Sequence, residues 1–203
     1  MTAIIFAGSE IQDYRFIDTK ADLIICADRG IIHAEKLNIS PDIITGDFDS
    51  YIGEIPSCHE VFRSVPEKDD TDTMLAVKLA LERGADNIRL YGATGGRFDH
   101  TFANIQTLIY AYENNCKMSI YDENNIITLQ GKGTETYHKY KNWYFSVFSL
   151  TEKLYVKKMM GVKYPVEDYI FTQSFPIGVS NEITDTAVIT IAKGLALIVR
   201  SGR

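Results

Sequence analysis

The sequence is short of cysteine, of basic residues and of long apolar runs, and each shortage removes a class of protein. Its three cysteines, Cys26, Cys58 and Cys116, are far apart, odd in number and outside any C-x-x-C arrangement. Neither a disulfide framework nor a cysteine zinc site is suggested, and the compartment reads as reducing and cytoplasmic. No apolar stretch reaches the ~20 residues that a membrane helix requires. Residues Met1 to Gly8 are apolar without a basic region before them, so they read as a buried strand rather than a signal peptide. With 21 basic and 27 acidic residues the net charge is 21 − 27 = −6. That sign gives no reason to expect a nucleic-acid backbone or an anionic membrane as partner.

What is present is a globular composition, 45% hydrophobic and 24% charged over 203 residues, enough for one large domain or two small ones. The first two-thirds alternate short apolar runs with helix-period runs, the pattern of an α/β domain with a mainly parallel sheet flanked by helices. Strands are expected at Ala3–Ala7, Leu23–Ala27, Ile43–Thr45, Val61–Val65, Ile88–Tyr91 and Met118–Tyr121. A helix is expected over Thr73–Arg83, where Leu75 and Leu79 are four apart and Gly84 can stop it. A second is expected over His100–Glu113, with Phe102, Ile105, Ile109 and Tyr112 as its apolar stripe. After about residue 122 the segments become short and β-rich: Ile126–Leu129, Trp143–Leu150, Lys153–Val156, Ala187–Ile191 and Ala196–Val199. These suggest an all-β sandwich or barrel over 123–203, following an α/β domain over 1–122.

In an α/β sheet the ligand crevice lies beyond the carboxyl ends of the strands. Here those positions are acidic or glycine-rich: Asp28, then Gly46-Asp47-Phe48-Asp49-Ser50, then Lys68-Asp69-Asp70-Thr71-Asp72, then Gly92 to His100. Asp47 and Asp49, two apart, place both carboxylates on one side of an extended chain, and such hard oxygen donors suit Mg²⁺. An Asp-rich turn is the plainer account of that motif. Asp69, Asp70 and Asp72 also suit a helix start, where the dipole favours each by roughly 0.3–1 kcal/mol. Yet a helix start needs one cap, and three crowded carboxylates repel unless a cation balances them, which Lys68 does only in part. In Gly92–His100 the paired Gly95 and Gly96 let backbone amides approach an anion, and Arg97 is placed for phosphate. It is neither a Walker loop nor a dinucleotide fingerprint. A flexible turn with Asp99 capping the next helix is its plainer account. Together the elements describe a polyphosphate site whose acidic ring requires Mg²⁺, since bare carboxylates would repel a triphosphate.

These residues resemble the thiamine pyrophosphokinase family. Its marks are a Pro-Asp segment leading into G-D-F-D-S, a K-D-x-T-D cluster before a helix, and a G-x-x-G-G-R-x-D-H loop. They stand here as Pro41-Asp42 with Gly46–Ser50, Lys68–Asp72 and Gly92–His100, in order, and the resemblance runs through the C-terminal β part. It implies a homodimer with sites between subunits, and transfer of diphosphate from ATP to thiamine with release of AMP. By the same resemblance Asp47, Asp49 and Asp72 are Mg²⁺ ligands, Asp28, Asp69 and Asp99 complete the acidic site, and Thr94, Gly95, Gly96 and Arg97 bind the nucleotide. Ser180 and Asn181 match the family's Ser-Asn element near the thiamine pocket.

Two departures from the pattern stand out. Asp28 is followed by Arg29-Gly30 where many relatives have a double glycine, and Leu195–Val199 offers only aliphatic residues where some relatives stack thiamine on a tryptophan. The sole tryptophan, Trp143, reads as core. The histidines show no metal spacing, and no Gly-x-Ser-x-Gly elbow suggests a hydrolase triad. Two other functions fit the same acidic ring: a Mg²⁺-dependent nucleotide phosphohydrolase, with water replacing the alcohol, and a nucleotide- or thiamine-sensing module without turnover.

Overall fold

A computed structural model describes residues 1–47, 58–63 and 70–202. The chain divides into two compact units, Met1–Glu123 and Asn124–Arg203.

The N-terminal unit contains strands β1 (Thr2–Phe6), β2 (Leu23–Ala27), β3 (Ile43–Gly46), β4 (Glu60–Arg63), β5 (Asn87–Tyr91) and β6 (Lys117–Tyr121). They lie in the order β4-β3-β2-β1-β5-β6, and every pairing is parallel. The central strands are buried along nearly their whole length, as in β1, where Ala3 to Phe6 are inaccessible. Continuous apolar runs of that kind belong to strands covered on both faces.

Helix α1 (Ile31–Lys36), preceded by a 3-10 turn at Asp28–Gly30, is too short for its periodicity to show in the sequence. Helix α2 (Asp72–Glu82) ends at Gly84, whose φ of +85° makes the expected left-handed stop. Helix α3 (Phe98–Glu113) forms where expected but buries a different face. Asn104, Thr107, Leu108 and Ala111 point inward, while Phe102 and Tyr112 are exposed. Polar groups win the inner face because they find partners: Asn104 Nδ2 donates to the Ala93 carbonyl at 2.7 Å, and Thr107 Oγ1 to the Ala103 carbonyl at 3.0 Å.

The C-terminal unit contains β7 (Asn125–Gln130), β8 (Gly133–His138), β9 (Trp143–Ser149), β10 (Lys153–Val162), β11 (Val166–Thr172), β12 (Ile183–Lys193) and β13 (Ala196–Gly202). Within it β7-β13-β9 and β11-β10-β12-β8 are antiparallel sets. One core joins them, with Phe145, Val147 and Ile198 from the first set and Leu154, Val156, Ile189 and Phe171 from the second. Trp143 is half-buried at the start of β9 and packs with its ring tilted against Tyr140, centroids 5.2 Å apart, so it borders that core rather than filling it.

Candidate active site

Parallel pairing sends the carboxyl ends of all six strands to one edge of the N-terminal sheet. Strand order reverses beside β1, between β2 and β5, the position at which open α/β sheets place their ligand crevice. Asp28 follows β2, Asp47 follows β3, Gly92 follows β5 and Asp122 follows β6. A helix that returns between parallel strands starts at the same edge, which brings in Asp70 and Asp72 at the head of α2.

The ends of β2 and β3 approach closely. Gly46 has φ +148°, and a Cβ built there would lie 3.0 Å from Asp28 Cα, so only glycine fits. Asp28 itself has φ +49°, a strained turn for a non-glycine residue. Asp47 is exposed just beyond. The departure at Arg29-Gly30 resolves as a packing matter: a Cβ on Gly30 would fall 1.9 Å from the Phe6 carbonyl oxygen of β1, whereas position 29 accepts a side chain beside Gly8. The second glycine is the one the backbone requires.

Asp49 and Asp69, both expected in the acidic site, lie outside the described residues, as do Phe48, Ser50 and Lys68. Among the described residues, no three His, Cys, Asp or Glu stand close enough to hold a metal ion. Asp28, Asp47 and Asp72 nonetheless supply hard carboxylate donors at one edge, two of them directly after β2 and β3, which approach closely at Gly46 and Asp28, and that donor chemistry fits Mg²⁺.

At the head of α2 the crowded charge is divided. Thr71 is the N-cap, its Oγ1 accepting from the Met74 amide at 3.1 Å. Lys78 pairs with Asp70, donating to both carboxylate oxygens at 2.8 and 2.6 Å. That bond from Asp70 holds the Lys78 ammonium above its ordinary pKa. Asp72 occupies the first helical turn, where the dipole favours an anion.

The β5–α3 loop turns on three left-handed glycines, Gly92 (φ +65°), Gly95 (+86°) and Gly96 (+61°). Gly92 is there for space as well: a Cβ would sit 2.6 Å from the Ala7 carbonyl oxygen and 3.1 Å from His33 Nε2. Gly95 and Gly96 have nothing within 4 Å of a built Cβ, so their requirement is conformational. Both are exposed, as are Arg97 and Asp99. Arg97 Nη2 pairs with Asp99 Oδ2 at 2.5 Å, and that contact, first among its causes, lowers the Asp99 pKa. Asp99 thus stands as the partner of the loop's arginine in the first turn of α3. Thr94 donates to Asp122 Oδ2 at 2.6 Å, drawing the loop to the end of β6.

Asp122 and Glu123 fall at the boundary between the α/β and β-rich patterns, and neither stands among the site residues expected from the sequence. The rule that found Asp28 and Asp47, an acid directly after a strand, applies to them equally. Glu123 Oε1 accepts from the Gln12 and Asp13 amides at 2.7 and 3.3 Å, tying down the segment after β1. His33, buried at 4% exposure, was passed over too, since no motif contains it.

In the C-terminal unit Ser180 and Asn181 are adjacent but face opposite ways. Ser180 is exposed, with φ +58°, and its amide donates to Ser146 Oγ at 3.0 Å. Asn181 is buried: Oδ1 accepts from the Tyr164 and Glu182 amides at 3.1 and 2.8 Å, and Nδ2 donates to the Tyr164 carbonyl at 3.0 Å. Its amide is a bracket on the turn that carries the exposed Tyr164.

Comparison with known proteins covers both units. The model of the thiamin pyrophosphokinase catalytic domain matches residues 15–120, and that of the thiamin pyrophosphokinase vitamin B1 binding domain matches residues 134–196. The thiamine pyrophosphokinase of Bacillus subtilis is 32% identical over 187 residues, 87% of this chain and 86% of that protein. A crystal structure of thiamine pyrophosphokinase from Bacillus subtilis superposes with a TM-score of 0.90 at 30% identity, covering 100% of this chain and 99% of that one. One from Geobacillus thermodenitrificans gives 0.88 at 29% identity, covering 100% and 98%. A thiamin pyrophosphokinase from Candida albicans, 18% identical, shares the fold with a TM-score of 0.82 over 98% of this chain and 88% of that one.

Proposed function

Since the chain belongs to the thiamine pyrophosphokinase family and transfers diphosphate from ATP to thiamine, we propose that the strand-end edge of its N-terminal unit is where that transfer takes place. The observation that carries this reading is the convergence of Asp28, Asp47, Asp72 and the Gly92–Arg97 loop on one edge of a parallel sheet. In this reading Thr94, Gly95, Gly96 and Arg97 hold the phosphates through backbone amides and the guanidinium. Asp47, Asp49 and Asp72 hold Mg²⁺, and Asp28, Asp69 and Asp99 complete the acidic surround. The ion, when bound, offsets the triphosphate charge.

The thiamine hydroxyl oxygen forms a bond to the β-phosphorus while the bond from that phosphorus to the α,β-bridging oxygen breaks, and AMP leaves with the electron pair. A strand-end carboxylate accepts the hydroxyl proton. The N-terminal unit carries 11 basic and 21 acidic residues, a net of 11 − 21 = −10. Such a field favours both Mg²⁺ and the thiazolium cation of thiamine.

The 1–122 segment then serves as the catalytic, ATP-binding domain. The 123–203 segment is a β-sandwich that binds thiamine and pairs subunits, with Ser180 and Asn181 on the thiamine side. Exposed apolar side chains suit a homodimer, among them Phe98 and Phe102 on α3 and Phe175 and Ile177 after β11. All three cysteines are free, in keeping with a cytoplasmic setting. No helix among the described residues is long and apolar enough to cross a membrane.

The test is a mass-spectrometric assay with ATP, Mg²⁺ and thiamine. Thiamine diphosphate and AMP should form together and only when thiamine is present. Hydrolysis of ATP at the same rate without thiamine would instead mark a phosphohydrolase, and binding without turnover a sensor.

A further inference from the structure

The reaction as described leaves one polar pair unused, a buried histidine and a half-buried tyrosine, and it stands between the two parts of the site. His33 on α1 places Nε2 2.8 Å from the Ser9 carbonyl oxygen, and its Nδ1 lies 2.7 Å from the Tyr14 hydroxyl. A carbonyl can only accept, so Nε2 carries the hydrogen. In the neutral ring Nδ1 is then the acceptor and Tyr14 the donor, which fixes the tautomer.

Ser9 passes this order onward. Its amide donates to the Gly92 carbonyl at 2.8 Å, and one step earlier the Ala7 amide donates to the Tyr91 carbonyl at 2.8 Å. The exit from β1 is thereby laced to the exit from β5 at the crevice where strand order reverses. Gly92 packs so tightly there that a built Cβ would lie 3.0 Å from the Ser9 carbonyl oxygen and 3.1 Å from His33 Nε2. On the other side, a Cβ on Gly8 would sit 3.4 Å from Arg29 Cβ and 3.9 Å from Asp28 Oδ2. The Gly8-Ser9 peptide thus spans from the acidic end of β2 to the first turn of the glycine loop.

We propose that His33 is a positioning residue for diphosphate transfer: locked as the Nε2–H tautomer by Tyr14, it fixes the Ser9 carbonyl and, through Ser9, the turn at Gly92 that aims the phosphate-binding loop. The proposal rests on the reading of Gly92–Arg97 as the phosphate loop. An ordinary buried histidine would stabilise the fold without steering one substrate. A positioning histidine acts on ATP and not on thiamine.

The experiment compares His33→Leu, His33→Gln and Tyr14→Phe in the full chain, with Gly95→Val as a probe of the loop itself. Steady-state kinetics give separate KM values for ATP and thiamine, and nitrogen-15 NMR of the histidine ring reads the tautomer. His33→Leu should raise the KM for ATP by about 10- to 100-fold, the scale on which small misplacements act, and leave that for thiamine within about twofold. His33→Gln, whose side-chain amide can still donate to Ser9, should recover most of the loss. Tyr14→Phe, which retains the ring, should weaken the Nε2–H signature and raise the KM for ATP by a smaller factor.

If Gly95→Val raises the KM for ATP while a folded His33→Leu leaves it unchanged, the loop reading stands and the role of His33 is overturned. If Gly95→Val leaves it unchanged too, the loop reading itself falls and takes the proposal with it. Should His33→Leu fail to fold, an unaltered tautomer signal and an unaltered KM for ATP in Tyr14→Phe overturn the proposal.

Discussion

Thr94 and Asp122 join the ends of β5 and β6, hydroxyl to carboxylate, at 2.6 Å. The contact fixes the loop's third residue just before its paired glycines, and it is a charge-assisted bond of the stronger kind. Thr94→Val keeps the shape and removes the donor. It should lower stability by about 1–2 kcal/mol in urea unfolding and raise the KM for ATP, whereas Thr94→Ser should restore both.

Arg97 is exposed and pairs with its near neighbour Asp99, which is exposed too, so its removal tests phosphate binding with little effect on folding. Arg97→Met should raise the KM for ATP about tenfold, the scale of one lost charge-assisted bond. Melting should shift by no more than a degree or so, roughly, since exposed pairs contribute little. Unchanged kinetics in Arg97→Met would remove it from the nucleotide site.

Asn181, proposed on the thiamine side, brackets the chain at Tyr164. Asn181→Ala should leave the Tyr164 amide and carbonyl without their partner and cost about 1–3 kcal/mol in chemical denaturation. A rise in the KM for thiamine that outlasts correction for the unfolded fraction would show that the bracket also shapes the thiamine side.

His33 makes stability depend on pH. Burial, the largest cause, lowers its pKa below the ordinary 6.5, and the positive charges of Lys36 and Arg29 push the same way, against hydrogen bonds to the Ser9 and Ala7 carbonyls. The folded state therefore binds the proton less readily than the unfolded chain, and protonation favours unfolding. Stability from this group is complete above the unfolded value of about 6.5 and declines as the pH falls below it. Urea midpoints should drop between pH 6.5 and pH 5, roughly, and His33→Gln should flatten that slope.

The glycine at the entry to α1 tests packing rather than chemistry. Gly30→Ala places a methyl 1.9 Å from the Phe6 carbonyl oxygen, a backbone atom of the central strand that cannot step aside cheaply. A loss of about 1–3 kcal/mol or more is expected by calorimetry, whereas Arg29→Gly, at the position where relatives carry glycine, should change stability by under about 1 kcal/mol.

Legibility in the sequence followed burial. Leu23–Ala27 was readable to the residue because a strand covered on both faces is one apolar run. β8, Gly133–His138, was missed because Tyr137 is its only buried residue, so Thr-Glu-Thr gives no alternation to see. β11 and the long outer part of β12 hid in the same way, behind exposed polar faces. The α3 stripe misled because hydrophobicity alone cannot foresee that Asn104 and Thr107 would find backbone acceptors and take the interior. At the site, Asp28 and Asp47 were legible from position after a strand. Asp122 was hidden by its place at the boundary between patterns, and His33 by acting through Ser9 and Gly92, contacts that only a folded chain displays.

Magnesium dependence of thiamine-driven AMP formation, measured side by side for the wild type and Asp47→Asn, bears most directly on what the strand ends are for. Loss of outer partners of a bound metal already costs about 10- to 100-fold, so removal of a direct ligand should lower the rate by about 100-fold or more and shift half-saturation to higher Mg²⁺, with the fold intact by circular dichroism. An Asp47→Asn protein that makes AMP at the wild-type rate with the wild-type Mg²⁺ requirement would contradict the account.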